Sequence, residues 1–169
     1  AWRATGWFTV GANATFSQNH IENYTEHRVT YDNDENWTPV SEEDVNLGTM
    51  TIAYSPDVIA GLFLDFHYRG FEAVFHTQYV GKQYFTNNEN DALSLGSYCV
   101  TNLNLAYTFR TRSARSVRLG LMVNNLFNTE YEGNGYGYST YFKEVPSQHS
   151  AYYFPQAPLN VLANVTVRF

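Results

Sequence analysis

The 169-residue chain carries 3 Trp, 14 Tyr and 12 Phe and is 17% aromatic against 15% charged, which excludes a disordered chain. Ten Lys and Arg against sixteen Asp and Glu leave a formal net charge of −6, with no basic patch to hold nucleic acid. The single cysteine, Cys99, cannot close an internal disulfide, no Cys/His cluster offers a metal site, and no cofactor is expected.

Apolar residues recur with period two, which predicts an all-β, antiparallel fold. Phe8, Val10, Ala12, Ala14 and Phe16 open a strand read over 7–31. At roughly 3.3 Å per residue that strand spans about 80 Å, whereas a bilayer takes only about 9 to 11 tilted residues, so part of it must bend or project. A polar stretch, 32–46, reads as a long loop. The next strand, 47–68, ends in Leu62, Leu64, Phe66 and Tyr68, and Arg69-Gly70 is a two-residue hairpin turn into a strand over 71–85. That turn sets Tyr68 opposite Phe71, Phe66 opposite Ala73, Leu64 opposite Phe75 and Leu62 opposite Thr77, so the apolar faces coincide.

After a second long loop, 86–96, come a strand over 97–109, a short basic turn from Arg110 to Ser116, and a strand over 117–131. The segment 132–157 reads as a third long loop, with Gly133-Asn-Gly-Tyr-Gly137 as its flexible part, and 158–169 as the last strand. Six strands in three hairpins result, with short turns on one edge and long loops on the other. This asymmetry, and the Tyr and Phe near strand ends, describe an outer-membrane barrel. Six strands are too few to close one, since such barrels begin at eight; earlier strands are missing, or copies assemble. A chain opening at Ala1 without Met favours missing strands.

The polar faces carry Asp65, His67, Glu72, His76, Gln78, Asn102, Asn104, Arg118, Asn124 and Arg168, expected to line an aqueous lumen. His67 and His76 sit too far apart along their strands to share a metal. In the loop 132–157, Tyr136, Tyr138, Tyr141, His149, Tyr152 and Tyr153 are the candidates for ligand contact, because Tyr offers flat apolar area and a hydroxyl. Ser147, His149 and Asp91 make a triad only on paper, and no catalytic site is expected.

Four stretches carry a family likeness: Ser55-Pro56 followed by Asp57-Val-Ile59; Tyr79-Val-Gly-Lys-Gln-Tyr84 with Asn87-Asn88; Val123-Asn-Asn-Leu-Phe-Asn128 with Tyr131; and a last strand of Val161, Ala163, Val165, Val167 and Phe169. Over these, from about residue 50 onward, the chain resembles the C-terminal part of a TonB-dependent outer-membrane receptor of the kind common in Bacteroidetes. The resemblance implies a bacterial outer-membrane location and a 22-stranded barrel closed by an N-terminal plug. The whole receptor would take up a scarce, bulky nutrient such as a ferric siderophore, haem or cobalamin. Its implied partners are the plug and remaining barrel strands, the lipid bilayer, the inner-membrane TonB complex acting through the absent plug, and the barrel-assembly machinery, which would read Val161, Ala163, Val165, Val167 and Phe169 as its signal. Two other readings follow from the pattern alone: a soluble all-β, carbohydrate-binding-like module whose Tyr-rich loops hold ligand, and a small barrel built from several copies.

Overall fold

A computed structural model describes residues 1–169. Its strands in chain order are β1 (Trp2–Thr5), β2 (Phe8–Phe16), β3 (His20–Tyr31), β4 (Pro39–Thr51), β5 (Val58–Tyr68), β6 (Phe71–Val80), β7 (Gln83–Tyr84), β8 (Ser94–Leu95), β9 (Tyr98–Phe109), β10 (Ser116–Asn124), β11 (Glu132–Phe142), β12 (Gln148–Pro155) and β13 (Asn160–Arg168). One 3-10 turn, Asp91–Leu93, precedes β8.

Period-two segments become a seven-stranded antiparallel wall in the order β1-β2-β5-β6-β9-β10-β13. The β5–β6 hairpin has the expected register, Tyr68↔Phe71, Phe66↔Ala73, Leu64↔Phe75 and Leu62↔Thr77. Its turn carries positive φ at both Arg69 (48°) and Gly70 (85°), the twist that suits a right-handed hairpin. Gly70 is needed twice over, since a Cβ there would also run into the Thr108 carbonyl of β9. The wall ends at β1 and β13 and does not close. Six of its strands correspond to the six expected; the four-residue β1, paired to β2 through Trp2↔Val10, was not foreseen because its alternation is too short to register.

Three of the expected strands divide in two: 71–85 breaks at Gly81-Lys82 into β6 and the short β7, which pairs with β8 of the expected loop 86–96 in a sheet of its own, and 117–131 ends as strand at Asn124. The other two divisions send chain out of the wall. The segment 7–31 breaks at Ser17-Gln18-Asn19 into β2 and β3, and 47–68 breaks at 52–57 into the end of β4 and β5. At this double corner the Ser17 amide donates to the Asp57 carbonyl (2.9 Å), and Asn19 Nδ2 donates to Ser55 Oγ (2.7 Å). The chain thereby leaves the wall, and β3 pairs with β4 in a hairpin of its own. Residues 39–46, expected as loop, lack apolar alternation because of Glu42, Glu43 and Asp44; they are strand because β3 supplies the ladder partner.

The expected loop 132–157 is also a hairpin, β11–β12. Together with β3 and β4 it forms a second, four-stranded sheet, β12-β11-β3-β4, at the long-loop end of the wall; β11 meets β3 in a short parallel pairing, Tyr141↔Thr30 and Phe142↔Tyr31. Gly135 and Gly137, expected in a flexible loop, lie inside β11. A Cβ on Gly135 would come within 2.6 Å of the Phe85 ring, and one on Gly137 within 2.8 Å of Leu93. The bare glycine backbone is the seat for a small apolar cluster of Phe85, Leu93 and Leu95.

Only 13 of 169 residues are buried, so no apolar core lies behind the wall. Its outward row is instead exposed: Leu62, Tyr68, Phe71, Tyr79, Tyr107, Leu119, Leu121, Val161, Val165 and Val167 all stand open to the surroundings.

Candidate functional site: the polar face of the wall and the aromatic hairpin above it

Strand pairing places Asp65 and His67 of β5 on one face with Glu72, His76 and Gln78 of β6, through the pairs His67↔Glu72 and Phe63↔His76. Asn102 and Asn104 of β9 join that face, as do Arg118 and Asn124 of β10 and Arg168 of β13. Ladder partners point to the same side, so all ten expected polar residues share the face opposite the apolar row. Val161, Ala163, Val165 and Val167 fall on the apolar side of β13, and Phe169 follows its last residue, 93% exposed.

Within the polar face the strongest link joins Arg118 to Glu72. Nη1 and Nη2 of Arg118 donate to Oε1 and Oε2 of Glu72 at 2.6 and 2.7 Å. The pair reaches over β9 at Ala106, whose small side chain leaves the path open, since Glu72 pairs with Ala106 and Ala106 with Gly120. Hairpin registers alone do not reveal this link, because it joins strands that are not neighbours. His67 Nε2 lies 2.7 Å from Asp65 Oδ1 on its own strand, and His76 sits opposite Asn102, remote from both.

Above the wall the β11–β12 hairpin has two unlike faces. Tyr136 and Tyr152 are cross-strand partners with stacked rings, centroids 5.0 Å apart; Tyr138 stacks on Tyr152 at 6.3 Å, and Phe154 adjoins Tyr136. All four rings are about half exposed. The opposite face does the holding. Tyr153 packs on Phe85 and its hydroxyl donates to the Ser94 carbonyl, while His149 Nδ1 is engaged by Ser139 Oγ (2.9 Å) and Asn90 Nδ2 (3.1 Å). The Tyr141 hydroxyl donates to Glu26, with the Arg28 guanidinium 4.9 Å above the Tyr141 ring. Of the six candidate ligand residues, then, Tyr136, Tyr138 and Tyr152 form one open aromatic stripe, and Tyr141, His149 and Tyr153 tie the hairpin down.

The triad drawn on paper does not assemble. Asp91 pairs with Lys82, which holds its carboxyl below the ordinary range, while the Ser147 Oγ to His149 Nε2 separation is 3.5 Å.

The motif segments prove to be joints. Asn125, buried and at φ 51°, accepts from the Thr129 amide and donates to the Thr129 and Ala157 carbonyls, while its own amide donates to Asn102 Oδ1. Asn128 Oδ1 accepts from the Leu159 amide at the entry to β13. Asn87 Oδ1 accepts from the Ala53 amide at 2.6 Å.

The sequence matches the family described as "TonB dependent receptor-like, beta-barrel" over residues 1–126. The chain belongs to the TonB-dependent receptor β-barrel family. The match includes the first 50 residues, which carry none of the four likeness stretches, and stops inside Val123–Asn128. Among solved structures, the unliganded ferric citrate transporter FecA superposes with a TM-score of 0.51 at 15% identity, covering 73% of this chain and 18% of that chain. At that identity the likeness is one of fold, and the chain spans less than a fifth of that transporter. No curated protein matches in sequence. The open, two-faced wall fits a partial barrel of this family.

Proposed function

We propose that this chain is the C-terminal part of the barrel wall and outer vestibule of a TonB-dependent uptake receptor in a bacterial outer membrane. The observation that carries the reading is the wall itself: an exposed apolar row on one face, a polar face behind it, and no core beneath. Bilayer hydrocarbon covers the apolar row, and the remaining strands of the barrel and the plug complete the lumen. In this reading the inner-membrane TonB complex acts on the plug, the barrel-assembly machinery reads the β13 pattern, and the chain has no catalytic role. The cargo is a bulky, scarce nutrient of the ferric siderophore, haem or cobalamin type, met first by the Tyr136, Tyr138 and Tyr152 stripe, where flat rings offer apolar area at low entropic cost.

Trypsin applied to intact cells tests topology and location together. The exposed β11–β12 turn has Lys143, so cleavage there from outside is expected, with the turn Arg110 to Arg115 cut only after the membrane is opened. Cleavage first at Arg110 to Arg115 would invert the topology and defeat the proposal. A native chain that stays in the aqueous phase without detergent would favour the soluble ligand-binding module instead.

A further inference from the structure

The ten cations of the chain are unevenly placed. Arg28, Lys82, Arg118 and Lys143 each have a carboxylate partner. The other six, Arg3, Arg69, Arg110, Arg112, Arg115 and Arg168, form no ion pair, and all six are exposed in the short-turn half of the wall. Five of them crowd its rim, on the two turns and at the end of β13. Acidic groups are nearly absent from this half: of sixteen Asp and Glu, only Asp65 and Glu72 lie there, and Glu72 is held by Arg118.

Arg69, Arg110, Arg115 and Arg168 line one open cleft of about 960 Å³ with Thr108 and Ser116, and no carboxylate side chain borders it. An α-carboxylate on Phe169 would still leave a surplus of positive charge. Phe109 and Phe169 are the cleft's apolar lining, and Phe109, paired with Val117, belongs to the outward row, whereas Thr108, Ser116 and Arg168 lie on the polar face, so the cleft straddles the edge of the wall. Arg69 folds back over the ring of Tyr68, 5.2 Å from its centroid, which sets its guanidinium against that same row.

We propose that this rim binds the phosphate headgroups of anionic phospholipids in the adjoining leaflet. Guanidinium forks match phosphate oxygens two at a time and stay charged at any ambient pH. A free phosphate would use the arginines alone; the apolar side of the cleft suits acyl chains covalently joined to that phosphate, which selects a lipid. The outward lean of Arg69 likewise favours the bilayer over a protein segment in the lumen. The inference rests on the membrane-barrel reading.

The full receptor chain, purified in zwitterionic detergent, is offered equal phosphatidylglycerol and phosphatidylcholine, and retained lipid is counted by native mass spectrometry. Preferential retention of phosphatidylglycerol is expected, reduced at least about fivefold in R110Q/R112Q/R115Q and largely restored when lysines replace the same three. Heat-dependent electrophoretic migration reports whether each variant is folded; should the glutamine variant fail, phenylglyoxal modification of the folded wild type must remove the preference instead. Equal retention of both lipids by folded protein, or a preference untouched by losing the arginines, overturns the proposal and leaves the barrel reading intact. Displacement by equimolar inorganic phosphate overturns it in favour of a free anion. A chain soluble without detergent removes the barrel reading and this one with it.

Discussion

Arg118 on β10 and Glu72 on β6 are joined by two parallel hydrogen bonds across the intervening strand β9. A three-strand staple of this kind resists shear between β6 and β10, which share no ladder. Replacing Arg118 with Ala should lower stability by about 1 kcal/mol, at the modest end for a bidentate pair because both side chains are partly open to solvent. A double-mutant cycle with Glu72→Gln, read by urea unfolding of the full chain in detergent, should show coupling. Additive effects would mean that the pair is geometric only.

Asn125 is the most heavily bonded side chain at the long-loop end of β10. Its replacement by Ala leaves the Thr129 amide and the Thr129 and Ala157 carbonyls without that partner, and puts Ala at positive φ. A loss of about 2 to 4 kcal/mol is expected. Gly at the same position should recover only the backbone part, so Asn125→Gly should fall between the two. Thermal unfolding of the three proteins gives the order, and equal midpoints would refute the clamp.

Substitution at Gly137 tests the seat of the small apolar cluster. Valine there collides with Leu93 and with the Ser150 carbonyl, 2.9 Å from the Cβ position, so the hairpin must lift. Faster amide exchange confined to β11 and β12, with the wall unaffected, is the expected result. A second change, Leu93→Ala in the same chain, should relieve part of the effect.

His27 in the β3–β4 hairpin, beyond the wall, donates from Nδ1 to Asp44 Oδ1 at 2.8 Å, with Glu42 3.9 Å from its other nitrogen. The hydrogen bond to Asp44 and the two negative charges raise its pKa above 6.5. A raised folded pKa means that the protonated form is the stabilising one. That contribution is complete below the unfolded value and disappears as pH rises through the folded one. Proton NMR of the imidazole should place its midpoint above 6.5, and Asp44→Asn should bring it down. An unchanged midpoint would detach His27 from Asp44.

The sequence by itself determined the two-faced strands, the Arg69-Gly70 register and the identity of the six long wall strands. These depend on period two and on turns whose backbone angles only certain residues accept, both of which are local. It also marked Tyr136, Tyr138 and Tyr152, though as loop residues. The tertiary structure alone decided the rest. The segment 39–46 lacks an apolar face, and three of the five residues of Gly133–Gly137 lack side chains, so neither advertises a strand; each becomes one because a ladder partner arrives, β3 for the first and β12 for the second, with the Phe85–Leu93 cluster packed on the bare glycines. The Glu72–Arg118 staple and the unpaired arginine rim have the same origin. Charge pairing acts between side chains brought close in space, and strands 46 residues apart come together only when the sheet has formed.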